Sequence, residues 1–351
     1  MKLIFVKPTN STFMQIDEEI LSSQHQLKSL CLNQNLGRNR YLMGILNMAI
    51  SMLRHRDWEL VLIWFADYHS AIAVAIARLL KRKSVVFIGG YDAVHYPEFG
   101  YGVYANPLRG FCARYALKNC DLMIANHEAL LSSSNTYYQP SGHREGVYNL
   151  IPGLKTPAMV IHNAIYIDST ISSQRQRMIL CVGGTPRYQD VMNKGFDLLF
   201  KVAPLFPEWV FVCVGISPEW MAALDREYSV SGISNLVILP PIPHEESIAL
   251  MEEASIYVQA SISEGMPNAL MEAMACGCLP IGSNVAGIPT VIQDDGFIIA
   301  NRNVNDLAQT LKQAMAVEPD RQEIAQRLCE RFSYDLRKDH ILEAIRGLLD
   351  A

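Results

Sequence analysis

The chain has 351 residues, of which half are hydrophobic, and a formal net charge of −5. This length predicts about two domains, and the apolar content is too high for a disordered chain. No apolar run approaches the roughly 18 residues of a membrane-spanning helix, the first ten residues do not resemble a signal peptide, and the eight scattered Cys are typical of reduced thiols in a cytoplasmic protein.

The charge is unevenly distributed between the two halves of the chain. Residues 1–165 contain 16 Lys and Arg against 11 Asp and Glu, a net charge of +5, whereas residues 166–351 contain 14 against 24, a net charge of −10. A basic half and an acidic half predict different partners for each.

The first half alternates short apolar runs with helix-like segments. We predict strands at 3–6, 60–65, 85–88, 122–125 and 159–161, and helices at 41–54, 71–80 and 107–118. Short continuous apolar runs are typical of a buried parallel sheet. The polar stretch 132–153 is predicted to be a long loop, and 168–177 a linker between domains.

The second half restarts the alternation. We predict strands at 178–182, 209–214, 236–239, 256–259 and 279–281, and helices at 196–203, 219–227, 245–253, 268–275, 304–316, 321–331 and 334–349. Ser333 is a candidate cap for the last helix. Repeated βα units predict two doubly wound sheets, whose ligands bind beyond the carboxyl ends of the strands.

Two carboxylates eight positions apart mark the most informative segment, which reads EGMPNALMEAMACG from Glu264. Pro267 and Gly277 are the expected punctuation of a short helix. Glu272 is the only charge on that helix, so it needs a partner, and a polar ligand is one candidate. Glu264 precedes the N–H groups of the helix start, which attract anions.

This segment resembles the signature of glycosyltransferase family four, whose members are retaining enzymes of GT-B fold. The resemblance is strong over residues 178–300 and weak in the first half. It implies an α/β architecture of two doubly wound, Rossmann-like domains that face each other across a cleft. Residues 1–165 would bind the acceptor, residues 166–333 the nucleotide-sugar donor, and residues 334–351 would form a helix that crosses back to the first domain.

The resemblance also assigns roles in the donor domain. Glu264 would hold hydroxyls of the donor sugar and act in catalysis, and Glu272 would bind the nucleotide ribose. The alternative for both is a capping or solvated acid. Further donor-binding residues implied by the family pattern, several of which could equally be scaffold, are Gly265, Met266, Pro267, Asn268, Gly184, Gly215 and His244.

A second stretch, Val182-Gly183-Gly184 followed by Lys194-Gly195, resembles the family's phosphate-binding loop. There a Lys and an Arg neutralise the donor diphosphate, which gains charge as the glycosidic bond breaks. Lys194 matches the Lys. The family's Arg directly follows the first glycine, so Arg187 is only the nearest candidate here, and an exposed turn with a solvated cation is the alternative.

The first half departs from the family pattern. Many members have a His near the tip of the strand predicted at 85–88, where this chain has Gly89-Gly90. Asp92 is our first candidate for a catalytic polar group there, with Gly90, Tyr91 and His95 as acceptor-binding residues. Turn capping is the alternative for Asp92 and His95.

The sequence therefore predicts a glycosyltransferase of hexosyl type. It would move a sugar, with retention of configuration, from a nucleotide diphosphate sugar to a hydroxyl of a saccharide or lipid-linked saccharide. The resemblance also implies that no metal is needed, and no Asp-x-Asp metal clamp is present. The absence of a Walker loop and of a dinucleotide fingerprint argues against a nucleotide hydrolase or a dinucleotide oxidoreductase. We expect no cofactor and no nucleic-acid partner. A nucleotide-sugar epimerase of the same fold and a non-catalytic nucleotide-sugar-binding module are the alternatives.

The expected location is the cytoplasm, with an anionic membrane surface as a further partner of the basic half. Cations cluster at three places in this half: Arg38 to Arg56, Arg78 to Lys83, and Arg109 to Lys118. An apolar helix edged by basic side chains suits peripheral binding to such a surface. An ordinary core helix with solvated ends is the alternative.

Overall fold

The computed structural model describes residues 1–167, 171 and 174–350. The chain forms two compact units. The first comprises Met1–Ser134, Arg144–Ala164 and Phe332–Ala351, and the second comprises Asn135–His143 and Ile165–Arg331.

The first unit is built on a six-stranded parallel sheet. The strands in this part of the chain are β1 (Lys2–Lys7), β2 (Gln26–Cys31), β3 (Leu60–Trp64), β4 (Lys83–Ile88), β5 (Leu122–Ala125), β6 (Ser133–Asn135), β7 (His143–Glu145) and β8 (Ala158–Val160). The sheet order is β2-β1-β3-β4-β5-β8, and β6 pairs with β7 in a separate ladder. The central strands β3 and β4 are almost completely buried, as continuous apolar runs require.

Helices cover both faces of this sheet. They are α1 (Thr12–Ser22), α2 (Arg38–Arg54), α3 (Tyr68–Leu79), α4 (Pro107–Asn119), α5 (Val147–Leu150) and, from the end of the chain, α14 (Tyr334–Asp350). Alternate residues of β1 separate the two layers: Ile4 and Val6 pack with α2, α3 and α4, whereas Leu3 and Phe5 pack with α1 and α14. The connections from β2 to β5 all step in one direction, so the right-handed crossover rule places α2, α3 and α4 on the same face.

Helix α14 is held to the first unit by a buried ion pair. Arg337 donates from Nε to Asp17 Oδ1 at 2.6 Å and from Nη2 to Asp17 Oδ2 at 2.9 Å. Trp64 donates to the same carboxylate at 2.9 Å, and Arg337 also donates to the carbonyls of Ile161 and His162. Both charged side chains are buried. The guanidinium donates four hydrogen bonds, two of them to the carboxylate, and these offset the cost of removing both charges from water.

The second unit is also built on a six-stranded parallel sheet, with the order β11-β10-β9-β12-β13-β14. Its strands are β9 (Gln176–Thr185), β10 (Val210–Ile216), β11 (Leu236–Leu239), β12 (Ala254–Gln259), β13 (Leu279–Ser283) and β14 (Phe297–Ile299). Its helices are α6 (Gln189–Asn193), α7 (Phe196–Val202), α8 (Met221–Tyr228), α9 (His244–Glu253), α10 (Asn268–Ala275), α11 (Gly287–Ile292), α12 (Val304–Met315) and α13 (Arg321–Arg331).

Most predicted elements are present, and the differences are local. Ser333 Oγ accepts from the Leu336 amide at 3.3 Å, as expected for a cap of the last helix. The predicted loop at 132–153 was wrong in part, because it contains β6, β7 and α5. The predicted domain boundary at residue 165 assigns residues 135–143 to the first domain. In the structure these residues belong to the second unit, where Asn135 Nδ2 donates to the Ile262 carbonyl at 2.7 Å. Half of the predicted linker, residues 168–170, 172 and 173, lies outside the described residues.

Within the described part of the chain, no helix is both long enough and apolar enough to cross a bilayer.

Replacing Arg337 with Met should destabilise the first unit by about 3–5 kcal/mol, because the buried carboxylate of Asp17 would lose its cation. Urea denaturation followed by the fluorescence of Trp64 and its neighbours measures this loss. The matched control is Arg346→Met, since Arg346 is exposed on the same helix. Equal stability of the two variants would contradict the structural importance of the pair.

Candidate functional site

The carboxyl ends of the strands in the second unit bring together most of the predicted donor residues. In the order β11-β10-β9-β12-β13-β14, the chain turns from one side of β9 to the other, so the topological switch point lies between β9 and β12. Ligands of open parallel sheets bind at such a point. The strand β9 ends in Gly183, Gly184 and Thr185, and β12 leads to Glu264.

An ion pair spans this switch point. Lys194 Nζ lies 2.6 Å from Glu264 Oε1, and both side chains are largely buried. The two groups were predicted separately, Lys194 for a diphosphate and Glu264 for sugar hydroxyls. The structure places them in direct contact, so a positive and a negative side chain lie side by side at the switch point.

Local backbone geometry explains how Lys194 reaches Glu264. Lys194 directly follows α6, and its amide donates to the carbonyl of Asp190 in that helix. Gly195 comes next and has a φ of 78°. A Cβ on Gly195 would lie 2.3 Å from the Ala260 carbonyl oxygen, so only glycine allows this approach. The Ile262 amide then donates to the Asn193 carbonyl at 2.8 Å. The turn after α6 is thereby fixed against the loop after β12.

Glu264 also accepts hydrogen bonds from Gln259, at the end of β12, and from Ser261 in the loop that follows. Gln259 Nε2 lies 3.1 Å and Ser261 Oγ 2.9 Å from Oε1, the oxygen that contacts Lys194. Gln259 is itself fixed, because its Oε1 accepts from Tyr257 and its Nε2 donates to Ser261. Among the described residues none donates to Glu264 Oε2. The carboxylate is therefore oriented through one oxygen, and the other can accept from a ligand.

Two glycines keep the end of β9 open beside the ion pair. A Cβ on Gly183 would lie 3.2 Å from the aliphatic part of Lys194, whereas a Cβ on Gly184 would meet nothing within 4 Å. Gly215, at the end of β10, has a φ of 98°, and a Cβ there would lie 2.5 Å from the Gly183 carbonyl oxygen. Gly215 is therefore required by packing, and Gly184 leaves room for a ligand to approach the backbone.

The loop after Glu264 leads directly into α10. Gly265 accepts a hydrogen bond from the Gly287 amide at 3.0 Å, and Met266 and Pro267 are buried. Asn268 is the first residue of the helix, and Gly277, with a φ of 82°, follows its end. The predicted helix bounds are confirmed. This loop and the first amides of α10 adjoin Glu264, and whether they bind a donor stays a prediction.

Glu272 has a partner within the protein. His244 Nε2 lies 3.0 Å from Glu272 Oε1, and Glu272 is buried while His244 is half exposed. Burial raises the pKa of Glu272, and the contact with His244 opposes that rise. Sequence analysis required a partner and considered a polar ligand; it did not connect Glu272 with His244, which is 28 positions away. The pair is nevertheless open to solvent on the His244 side.

Arg187 lies in a different arrangement from the one predicted. Its guanidinium and its amide both bind Asp190, with Nη2 2.5 Å from Oδ1 and the amide 3.0 Å from Oδ2. Asp190 is buried. This local pair resembles an ordinary turn contact, the alternative considered for Arg187, and a role at the diphosphate stays a prediction.

The acceptor candidates in the first unit lie in the turn after β4. Asp92 is fully buried and accepts from three amides, those of Ala66 at 2.9 Å and of Gly89 and Gly90 at 3.1 Å. Burial raises the pKa of Asp92 to about 6, and the three amides oppose the rise. These contacts match the turn-capping alternative and weigh against direct contact with a substrate, so its catalytic role stays a prediction.

Of the neighbouring candidates, Gly90 is buried, whereas Tyr91 is half-buried. Gly90 has a φ of 136°, which its place in the turn requires. The Tyr91 hydroxyl accepts from Arg109 at 3.1 Å, and its ring meets the Tyr101 ring edge-on. His95 is half-buried. Contact of these residues with an acceptor also stays a prediction.

One group of possible metal ligands occurs among the described residues, and it lies in the first unit. His127 Nε2 is 3.3 Å and His162 Nε2 3.9 Å from Glu128 Oε2. The Ala129 amide donates to His127 Nδ1, so the neutral ring has its proton on Nε2, the atom that faces Glu128. A protonated nitrogen cannot bind a metal, and this geometry is therefore unsuited to one.

Two Rossmann-like units, each with a parallel sheet, define the GT-B class of fold. Solved structures confirm it over the whole chain. A sucrose-phosphate synthase from Thermosynechococcus elongatus superimposes with a TM-score of 0.70 at 13% identity, covering 100% of this chain and 99% of that one. The Anabaena protein HepE, in complex with UDP-glucose, gives a TM-score of 0.70 at 14% identity, covering 99% and 100%.

The second unit matches the model of a known family. Residues 176–316 match the family described as glycosyl transferases group 1, which confirms the resemblance inferred from the EGMPNALMEAMACG segment. A phosphatidylinositol N-acetylglucosaminyltransferase subunit of Arabidopsis thaliana is 28% identical over 133 residues, which are 37% of this chain and 30% of that protein. The matches span less than half of the length of these curated relatives.

Sequence reasoning missed the residues that support Glu264. Gln259 was read as the end of an apolar strand, and Ser261 was not considered. The available signal was that Gln259, at the end of a buried strand, is polar and lies two positions before another polar residue, Ser261. In an extended chain this spacing places both side chains on the same side. Asp190 was also missed, because Arg187 was expected to bind a diphosphate rather than a side chain of the protein.

Replacing Gly195 with Ala should displace the Lys194 turn, because the added Cβ would overlap the Ala260 carbonyl and the φ of 78° is unfavourable for Ala. We expect a loss of about 2 kcal/mol or more in the free energy of unfolding of the second unit. Gly184→Ala is the matched control, since its Cβ meets no atom within 4 Å. Thermal unfolding of both variants measures the difference, and an unperturbed Gly195→Ala protein would contradict the close approach.

Proposed function

We propose that this protein is a glycosyltransferase that moves a hexose-type sugar from a nucleotide diphosphate sugar to a hydroxyl of a saccharide or lipid-linked saccharide. The observation that supports the proposal most directly is the Lys194–Glu264 pair at the switch point of a group 1 glycosyltransferase domain. The donor would bind in the second unit.

The ion pair suits both parts of a nucleotide diphosphate sugar. A diphosphate attracts Lys194, and the hydroxyls of a sugar can donate to Glu264 Oε2 while Gln259 and Ser261 hold Oε1. Binding of the donor would therefore move Lys194 from Glu264 to the diphosphate, while Gln259, Ser261 and the sugar hydroxyls hold Glu264. As the bond to the sugar breaks, the diphosphate gains charge, and a cation fixed beside it lowers the barrier.

Glu272 and His244 would bind the nucleoside. A buried carboxylate that is oriented by His244 through one oxygen can accept from the two hydroxyls of a ribose with the other. The elevated pKa of Glu272 agrees with a group whose charge is poorly solvated before the ligand arrives.

Retention of configuration and independence of metals complete the proposal. Both are implied by the resemblance to family four. Lys194 would neutralise the diphosphate where other transferases use a divalent ion. The acceptor would bind in the first unit, with Gly90, Tyr91 and His95 as candidates. The proposed location is the cytoplasm, at an anionic membrane surface where the acceptor is lipid-linked.

Replacing Glu264 with Gln should leave the protein folded and reduce transfer by about 30- to 1,000-fold, equivalent to about 2–4 kcal/mol in the barrier, because a neutral amide holds the sugar hydroxyls less strongly. Donor consumption with and without a supplied acceptor sugar measures the reaction. Glu246→Gln, at an exposed position on α9, is the matched control.

Two outcomes would reject this assignment. A folded Glu264→Gln protein with parental activity removes Glu264 from the site. Donor turnover that needs no acceptor and yields an isomerised sugar nucleotide indicates the epimerase alternative instead.

Treatment with EDTA should leave the rate of transfer within about twofold of the untreated enzyme, since the cation at the diphosphate is Lys194. Proton NMR of the product should show the anomeric configuration of the donor. Loss of activity in EDTA with recovery on addition of Mg²⁺ or Mn²⁺ would overturn metal independence, and an inverted anomer would overturn retention.

A further inference from the structure

The two faces of the first unit differ sharply in charge. The helices α2, α3 and α4 together contain seven Lys and Arg and no Asp or Glu. On the opposite face, α1 and α14 contain seven Asp and Glu and three Lys and Arg. Both sets of helices cover the same sheet, so the sheet separates a basic layer from an acidic one.

The basic layer also exposes large apolar side chains. On α2 the residues Tyr41, Ile45, Met48 and Met52 form the stripe that faces the core. A second apolar stripe on the same helix points to solvent and consists of Leu42, Met43, Leu46, Ile50 and Leu53. An ordinary amphipathic helix has polar residues at these positions.

The apolar exposure continues onto the neighbouring helices. Leu79, at the end of α3, is 74% exposed, and Leu108 and Phe111 of α4 are 62% and 65% exposed. The opposite face differs: among the described residues of α1 and α14, only Leu336 is a large apolar side chain with substantial exposure, at 44%. Exposed apolar side chains grouped on one face mark an interaction surface rather than the scattered exposure found on most proteins.

Exposed cations lie near the ends of the same helices. Arg38, Arg40 and Arg54 are exposed at the two ends of α2, and Arg78 and Lys118 are exposed near the ends of α3 and α4. Arg109 is different, because it is bound to Asp67 and to Tyr91. Exposed cations and exposed apolar side chains therefore lie on the same three helices.

We propose that this α2–α4 surface, defined by the exposed apolar residues of α2, α3 and α4 and their flanking cations, docks on an anionic lipid bilayer. Apolar side chains would enter the boundary between headgroups and acyl chains, and the flanking Lys and Arg would meet lipid phosphates. The acidic α1–α14 face would point away, because an anionic surface repels it. This inference specifies the membrane partner included in the proposed function, and the orientation of the first unit on it.

The charge asymmetry favours a bilayer over a second copy of the chain. Two copies that meet through the α2–α4 surface would bring the exposed cations of both copies together, and none of the three helices contains an acid to compensate them. An anionic bilayer supplies the missing negative charge over the whole area of the surface.

Co-sedimentation of the full chain with vesicles tests the proposal without donor or acceptor, so its result is independent of sugar transfer. We expect binding to vesicles of phosphatidylglycerol and phosphatidylcholine at low salt, weak binding to phosphatidylcholine alone, and release at about 1 M salt, where the Debye length falls to about 3 Å. The double variant Leu46→Glu/Phe111→Glu should bind anionic vesicles at least about tenfold more weakly than the parent.

Leu336→Glu on the opposite face is the matched control and should bind as the parent does. All variants should keep the parental unfolding temperature and nucleotide-sugar affinity, because the replaced side chains are exposed. Absence of binding to anionic vesicles at low salt overturns the proposal, as does equal binding of the double variant and the control. A parent dimer that the double variant dissociates, without vesicle binding by either, assigns the surface to contact between copies and also overturns it.

Discussion

Parallel strand direction is the constraint on which the rest of this structure depends. When all strands of a sheet run the same way, every carboxyl end lies at one edge, and residues that are far apart in sequence become neighbours there. Lys194 and Glu264 are separated by 70 positions and still form an ion pair. His244 and Glu272 meet at the same edge for the same reason. The sequence of βα units thus determines which side chains can act together.

The fold could be predicted well because its signals are local and repeated. Continuous apolar runs predicted nearly every central strand, and glycine and proline placed the bounds of α10. The elements that were missed have weaker patterns. The strand β2 (QLKSLC) is half polar because it lies at the edge of its sheet, and α1 contains three consecutive acids, which obscure its apolar face.

The site was predictable only as separate parts. Family resemblance indicated Glu264, Glu272 and Lys194, but no pattern shows that Gln259 and Ser261 orient Glu264, since those contacts depend on how the loop after β12 bends. Asp92 shows how a polar residue after a strand can have a structural explanation as well as a chemical one. Its position after a strand suggested chemistry, whereas its three backbone hydrogen bonds show that the turn itself needs the carboxylate. Hydrogen bonds to backbone amides have no sequence signature beyond the residue type.

The buried pair of Asp17 and Arg337 has a consequence for how the chain is made. Asp17 leaves the ribosome early, and its partner follows 320 residues later, after the entire second unit. Until then α1 and the sheet face beneath it lack the apolar cover that Ile341, Ala344 and Ile345 provide. Domains generally fold in the order of their synthesis. Here the first unit to be translated is the last that can be completed, so its nascent form exposes an apolar surface and a solitary acid for as long as translation of the remainder takes.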